Sequence, residues 1–558
     1  MMIGFLIPTI TIGITLALSW ILGRYLQWAM DPEDPRPGRL RYERFSQSLL
    51  GGQSVRLQNW KQYCLSMLVF NLLMFIFVYV VLTTQQWLPL NPDGKESLDP
   101  GLAFNTAASF TSNTNLQHYS GEVSMSYFSQ LLGLMWLQFV SAATGLAAAT
   151  ALCRGLAGRP DLGNFYQDLW RATGLVLLPL SLILASLLVL CGMPMTLEGA
   201  ATATTLEGAT QIIARGPVAA FVAIKQLGTN GGGFFGPNCT HPFENPTFWS
   251  NVLCNMAIIL IPMATVWMFG RITNRIRHAA VIFGVMLTLY LGFVISACAF
   301  ESQPAAALAD LPIERTMNLE GKELRFGSTA GALWAVSTTA TSNGSVNAMH
   351  DSLNPLTGLL PMAGMWLNII FGGVGVGLIN IFLYVITAVF LSGMMVGRTP
   401  EYLTRKVETK EMKLALIALL VHPLFILGGT AVFAVTPWGL ETLKNPGSHG
   451  LSEIIYEFSS AAANNGSGFE GLNDNTLPWN LATGVIMLLG RFIPIIAPLA
   501  IVGSLSAKRT TPESAGTFRI DSLLFGVVLL GTILIVGALL FLPLAMLGPI
   551  AEQLSAVG

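Results

Sequence analysis

Residues 224–233 read Ile-Lys-Gln-Leu-Gly-Thr-Asn-Gly-Gly-Gly, a moderately apolar stretch of half-membrane length that stops on a polar, glycine-rich turn. The same design stands at three other places: Ala-Ala-Ser-Phe-Thr-Ser-Asn-Thr-Asn at 107–115, Ser-Thr-Thr-Ala-Thr-Ser-Asn-Gly-Ser at 337–345 and Ser-Ser-Ala-Ala-Ala-Asn-Asn-Gly-Ser at 459–467. With Asn113, Thr229, Ser342 and Asn464 aligned, successive turns lie 116, 113 and 122 residues apart. A single Gly/Asn turn is most often an ordinary surface turn. Four at near-constant spacing, each bracketed by two long apolar runs, are an internal repeat of helix, re-entrant half-helix, turn and helix.

The bracketing runs are long enough for a bilayer, whose hydrocarbon core takes about 20 residues of helix. Ten spans are expected, near 3–23, 62–83, 127–152, 172–193, 248–270, 278–300, 360–396, 411–435, 480–505 and 520–547. The seventh is too long for one straight helix. The first resembles a cleavable signal in length, but it lacks a basic leading segment and a small-residue cleavage site, so it is kept as a span. Composition agrees: 53% of the 558 residues are hydrophobic and 11% charged, against about 25% charged in soluble proteins. The expected fold is an all-α polytopic membrane protein with four potassium-channel-like pore repeats and one extra transmembrane helix at each end. The expected divisions are an N-terminal span and basic loop (1–61), pore repeats at 62–153, 172–270, 278–397 and 411–505, and a C-terminal span (520–558).

Charge placement gives an orientation. Of 29 Lys and Arg, 21 fall in the loops 24–61, 154–171, 271–277, 398–413 and 508–519, and cytoplasmic loops carry such an excess. The opposite loops hold Lys95, Arg215, Lys225, Arg315, Lys322, Arg325 and Lys444, so both termini are expected to be extracytoplasmic. A formal net charge of −1 leaves no footprint for nucleic acid. The six cysteines, Cys64, Cys153, Cys191, Cys239, Cys254 and Cys298, stand singly without Cys-x-x-Cys spacing and read as small core residues.

A half-helix that stops at membrane depth is tolerated only where it is buried in protein or lines water, so four of them point to a shared axis. Each one entering from outside aims the negative end of its dipole at that axis, where a cation is stabilised. Carbonyls of the returning turns can form rings that replace the hydration shell of potassium. Glycine supplies the positive φ such a strand requires, and Asn tolerates it while bracing its neighbours. Hard, neutral oxygens suit an alkali cation; the turns offer no thiolate, imidazole or carboxylate cluster for a transition metal.

Longer strings add a resemblance. Leu-Gly-Thr-Asn-Gly-Gly-Gly-Phe-Phe (227–235), His-Pro-Phe-Glu-Asn-Pro-Thr (241–247), Met-His-Asp-Ser (349–352), Phe-Gly-Gly-Val-Gly (371–375), Gly-Arg-Thr-Pro-Glu-Tyr-Leu (397–403) and Asn-Asn-Gly-Ser (464–467) resemble the potassium-binding A subunits of bacterial Kdp potassium-transporting P-type ATPases. Asn-Trp-Lys-Gln-Tyr (59–63), Ser-Asn-Thr-Asn (112–115) and Tyr-Phe-Ser-Gln (127–130) extend the similarity over nearly the whole chain. The resemblance implies a relative of the channel-like Trk and Ktr transporters. It also implies a bacterial inner (plasma) membrane location and three partners from the Kdp complex: the P-type ATPase KdpB, the protein KdpC and the small protein KdpF. Potassium would leave sideways into KdpB. The resemblance puts the filter on Asn113, Thr114, Asn115, Thr229, Asn230, Gly231, Ser342, Asn343, Gly344, Asn464, Asn465 and Gly466, with Gln117 at the outer mouth where the family tunes potassium affinity. Two positions depart from the family pattern. Asn343 stands in place of Cys, which leaves backbone coordination unchanged; Asn368 stands in place of an acidic residue, which removes the charge that would draw a cation to that inner site.

Arg491, in Leu-Gly-Arg-Phe-Ile-Pro, lies inside a span, where insertion costs at least about 2.5–3.5 kcal/mol. It reads as a fixed positive charge below the filter that opposes leak, or as an arginine snorkelling to the interface. Residues 371–377, Phe-Gly-Gly-Val-Gly-Val-Gly, break the overlong span. Gly372, Gly373 and Gly375 read as a gate beneath the filter, or, through Gly373 and Gly377, as a small-residue packing seam. Arg398 reads as an interface anchor that the family places near the ion path. The pairs His350 with Asp351 and His241 with Glu244 invite a metal or acid/base reading, against which they read as hydrogen-bond braces of the outer mouth. No phosphate-binding loop of the G-x-x-x-x-G-K-[ST] type occurs, nor an Asp-Lys-Thr-Gly-Thr phosphorylation string, and no loop is large enough for a nucleotide-binding domain. The expected role is therefore a non-catalytic, potassium-selecting subunit of an ATP-driven importer, with K+ as cargo and no nucleotide or organic cofactor. Its rivals are a stand-alone Trk- or Ktr-like permease and a non-transporting scaffold.

Overall fold

The computed structural model describes residues 6–31, 37–51, 56–305, 317–397, 399–510 and 519–557. Among these residues, ten helices are long and apolar enough to cross a membrane: Leu6–Met30, Trp60–Trp87, Ser129–Leu156, Phe165–Leu190, Phe248–Ile272, Ile276–Glu301, Val376–Met395, Thr409–Phe433, Leu477–Ser506 and Leu523–Ser555. Nine overlap the expected spans closely. The seventh is shorter than expected because 360–396 contains two helices, Pro355–Leu367 and Val376–Met395, separated by a loop. The break is set by Asn368 in the left-handed conformation (φ 49°), followed by left-handed Phe371, Gly372 and Gly375.

Burial separates the spans into two layers. In the four repeats, the span before each half-helix buries 28%, 28%, 50% and 28% of its most apolar window, and the span that closes the repeat buries 72%, 78%, 78% and 67%. The first of each pair therefore presents its apolar side chains outward, as Leu65, Leu72 and Ile76 do, while the second lines the interior. Without water to satisfy the backbone, every such helix must close its own hydrogen bonds. Entry points are capped accordingly: Asn59 Oδ1 accepts from Lys61 and Gln62 N–H, and Gln62 Oε1 returns the bond to Asn59 N–H. The first span packs along the fifth, with Gly23 seated on Trp267, and the last packs on the sixth and seventh.

Between the paired spans lie the half-helices, Pro100–Thr111, Val218–Leu227, Ser328–Ala340 and Gly447–Ala463. Apart from the entry ends of the first and fourth (Pro100 and Gly447–His449), each is almost fully buried, and all are too short to span. The opposite end of the molecule is tied by ion pairs of the basic loops: Arg154 and Arg171 on Asp168 (2.6 and 3.2 Å), Arg171 on Glu43 (2.6 Å) and Arg159 on Asp31 (3.1 Å). Arg36, Arg315 and Arg398 lie outside the described residues.

Candidate functional site

Each half-helix ends in a turn of the same shape. The second turn residue folds back so that its N–H donates to the carbonyl five residues earlier: Thr114 to Ser109 (2.9 Å), Asn230 to Lys225 (2.9 Å), Asn343 to Thr338 (2.8 Å) and Asn465 to Ser460 (2.9 Å). The residues on either side of it are left-handed. Asn113, Thr229, Ser342 and Asn464 have φ of 65°, 48°, 49° and 53°; Asn115, Gly231, Gly344 and Gly466 have 55°, 82°, 96° and 103°. Alternating left-handed and ordinary backbone turns successive carbonyls to one side, so a strand can offer a ladder of oxygens. Five of these eight residues are not glycine, and such backbone persists only where its surroundings over-determine it.

The surroundings are the other turns, which close a ring. Asn113 Nδ2 donates to the carbonyls of Thr229 (2.8 Å) and Gly228 (3.2 Å), joining turns 1 and 2. Gly231 lies so near the Asn343 carbonyl, Gly344 so near that of Asn465 and Gly466 so near that of Thr114 that a Cβ at any of them would overlap the oxygen. Turn 2 thus abuts turn 3, turn 3 abuts turn 4, and turn 4 returns to turn 1. Amides lock the ring: Asn230 Nδ2 on Asn113 Oδ1 (2.7 Å), Asn343 Nδ2 on Lys225 O (3.2 Å), Asn465 Nδ2 on Thr338 O (2.9 Å) and Asn464 Nδ2 on Thr114 Oγ1 (2.9 Å). Asn343 and Asn465 make the same bond to the preceding repeat, which gives the departure at Asn343 a physical use.

A buried ion pair braces turn 2 from behind. Lys225, counted from sequence as an outer-loop cation, is fully buried on the second half-helix and pairs with Glu244. Its Nζ also donates to Asn238 Oδ1 (2.6 Å), whose Nδ2 donates to the Gly231 carbonyl (2.6 Å). The Glu244 carboxylate therefore braces turn 2, while Glu244 N–H donates to the His241 carbonyl (3.0 Å) and the His241 ring stacks on Phe235 at 3.9 Å. Lys225 and Asn238 escaped sequence reasoning. A lysine inside Ile-Lys-Gln-Leu, within a half-helix expected to be buried, was the available signal.

Beneath the ring lies the broken span. Asn368 Oδ1 accepts from Ser342 Oγ (2.8 Å), and its Nδ2 donates to the Ala463 carbonyl (3.3 Å). Val374 N–H donates to Thr229 Oγ1 (2.9 Å), and Gly372 N–H to the Ala340 carbonyl (2.9 Å). The segment 368–375 thus touches turns 2, 3 and 4 from below. Gly375 abuts the Gly145 backbone, while Gly377 packs on Phe371 and Gly372 of its own segment. Arg491 is buried, and its Nη2 donates to the Ser141 carbonyl (3.2 Å). It lies beside Gly145, which in turn contacts Val374, and among the described residues no carboxylate pairs with it. A cavity of about 40 Å³ opens to one side, lined by Asn368, Asn380, His422 and Gly490 among others.

Residues 9–554 match the family described as KdpA, potassium-transporting ATPase A subunit. The chain belongs to this family. It is accordingly a potassium-transporter subunit, and the family is the non-catalytic transport component of its complex. The fold is also similar to the crystal structure of the potassium transporter TrkH from Vibrio parahaemolyticus, with a TM-score of 0.51 and 13% identity over 89% of this chain and 98% of that one. At that identity the likeness is one of fold.

In this family member the mouth of the ring is built from polar side chains. Gln117 Nε2 donates to the Gly233 carbonyl (3.0 Å) and Gly233 N–H to Gln117 Oε1 (2.7 Å), clamping turn 1 to turn 2. His350 Nδ1 bonds the Tyr456 hydroxyl (2.7 Å), as a brace should. Sequence reasoning missed His118, which is buried beside Glu457 (3.2 Å) and Asp474 (3.9 Å) and bonds Asn480 Oδ1 (2.7 Å). Burial pushes its pKa down, but the Asp474 charge and the Glu457 bond outweigh that and raise it to about 9. Since a free imidazole titrates near 6.5, this contribution to stability is full below pH 6.5 and is lost as pH rises through about 9. The melting temperature of the purified chain should fall by about 1–3 °C between pH 6.5 and about 9.5. A His118→Gln variant should lose most of that pH dependence; an unchanged slope would contradict the charged state.

Proposed function

We propose that this chain takes potassium from the extracytoplasmic side through one filter made by the four turns, at Asn113–Asn115, Thr229–Gly231, Ser342–Gly344 and Asn464–Gly466, and delivers it to a partner P-type ATPase. The closed ring of four equivalent turns carries this reading, because left-handed residues at matched positions give each repeat the same chance to supply carbonyls. The repeats at 62–153, 172–270, 278–397 and 411–505 would each give one quarter. Gln117 would tune the outer mouth. The loop containing Gly372, Gly373 and Gly375, with Arg491 beside it, would block the straight path, and the side cavity at Asn368 and Asn380 would begin a lateral one. The inner membrane of a bacterium, extracytoplasmic termini, and the partners KdpB, KdpC and KdpF complete the proposal.

A tagged chain recovered from native membranes should bring a P-type ATPase with it, and the complex should hydrolyse ATP faster when potassium is added. The chain freed of partners should show no potassium-stimulated hydrolysis. A stand-alone permease, for which the TrkH-like fold speaks, would be recovered without an ATPase and would conduct potassium alone in proteoliposomes. That pair of results would overturn the ATP-driven reading.

A further inference from the structure

At the mouth side of the ring, away from the filter itself, three chain segments converge on a second set of donors. Asp351 comes from the loop after turn 3. His449 and Glu453 stand four residues apart on the fourth half-helix, so they share one face. Donor atoms of all three lie within 4.8 Å of one another. His449 Nε2 is 3.0 Å from Asp351 Oδ1, and its Nδ1 is 2.8 Å from Glu552 Oε1 on the last helix.

A plain ion-pair cluster would explain the imidazole between two carboxylates. It does not explain Glu453. That side chain is fully buried; Asn445 Nδ2 satisfies Oε1 at 2.7 Å, and Oε2 has no hydrogen-bond partner. A buried carboxylate oxygen without a donor is costly, and a cation is the group that would complete it. Gly471 faces the same spot. A Cβ there would overlap Glu453 Oε1 and come within 2.8 Å of Asp351 Oδ2, so the chain keeps this space free of a side chain. The rim is open to entry, with His449 and Asp351 side chains 24% and 15% exposed.

We propose that Asp351, His449 and Glu453 form a divalent-metal site, with Zn2+ as the fitting ion, that staples the turn-3 loop to the fourth half-helix. The donor set is one imidazole and two carboxylates, which suits Zn2+ with a fourth position open to water. Glu552 completes the arrangement. It accepts the Nδ1 proton and leaves Nε2 free to ligate, the usual support for a metal-bound histidine.

The test uses the full-length chain, stripped with EDTA, returned to Zn2+ and titrated against a chromophoric chelator. Wild type should bind one equivalent of Zn2+, and Co2+ in its place should give visible d–d absorption. His449→Ala and Asp351→Asn should raise the Zn2+ dissociation constant by well over ~10-fold, and Glu552→Gln by about 10-fold or more. Zinc should raise the melting temperature of wild type but not of Asp351→Asn, which keeps the side-chain size and guards against a variant that fails to fold. His118→Gln, in the other histidine–carboxylate cluster, should keep the full equivalent. The proposal is overturned if wild type binds no stoichiometric Zn2+, or if binding follows His118 and is indifferent to His449 and Asp351.

Discussion

Replacing Gly231 with Asp is expected to weaken potassium binding by about 100-fold and to blur discrimination against rubidium and ammonium. Gly231 holds φ at 82°, and its Cα faces the carbonyl of Asn343 on the neighbouring turn so closely that any Cβ would overlap it. A side chain would therefore add left-handed strain of about 1–3 kcal/mol and push apart two turns of the ring. At about 1.4 kcal/mol per factor of ten, the upper part of that range corresponds to the expected loss. The Gly231 carbonyl is also held by Asn238 Nδ2 at 2.6 Å, so the displacement would reach the Lys225–Glu244 brace. The carboxylate adds a second effect: a nearby charge attracts every small cation alike, so selectivity should fall further than in Gly231→Ala. Titration calorimetry with K+, Rb+ and NH4+ on the two variants separates strain from charge. Gly284→Ala, where a Cβ meets nothing within 4 Å, should bind as wild type does. Unchanged potassium affinity in Gly231→Asp would remove turn 2 from the filter.

The number of spans and the repeat were legible because both rest on long-period signals. Apolar runs of bilayer length cannot be mistaken for much else when charge is scarce, and four Gly/Asn turns at matched spacing mark four equivalent places in space. The break in the seventh span was legible for a similar reason: the 37 mostly apolar residues from 360 to 396 are too many for one straight span, and the glycines at 372, 373 and 375 stand where the helix fails. The ring contacts were not legible. Nothing in the spacing says that Asn343 Nδ2 reaches the carbonyl of Lys225 or that Gly466 meets Thr114, since these contacts join residues more than 100 positions apart. Charge counting also assigned Lys225 by its loop. A lysine is normally solvated, and only the structure reveals Glu244, 19 residues later, folded back to meet it. His118 shows the same limit, because Glu457 and Asp474 belong to the last repeat, 339 and 356 positions away.

Neutralising Arg491 is expected to turn a tight subunit into a leaky one. A ring of four carbonyl strands, as proposed for the turns, would by itself be a channel, and a channel joined to a pump would let accumulated potassium run back. Something must raise the energy of the straight path. Arg491 is buried on the ninth span, bonded to the Ser141 carbonyl at 3.2 Å and adjoining Gly145, against which Val374 of the broken span packs. No described carboxylate cancels its charge. At an effective dielectric of about 20, two like charges about 6 Å apart repel by about 3 kcal/mol, roughly 100-fold in the rate of passage. The membrane potential, worth about 2.3 kcal/mol per charge per 100 mV, is of similar size, so the barrier would decide between holding and leaking. Arg491→Gln should therefore raise ATP-independent potassium flux in proteoliposomes by about 10- to 100-fold, while equilibrium potassium binding changes much less. Coupling should drop in parallel, with fewer ions moved per ATP in the assembled complex. Snorkelling predicts another pattern, because an arginine that only anchors the helix end loses stability on replacement and leaves flux alone. If Arg491→Gln and Arg491→Ala vesicles remain as tight as wild type while the protein melts earlier or sheds its partners, Arg491 is an anchor, and the barrier must lie in the 368–375 segment instead.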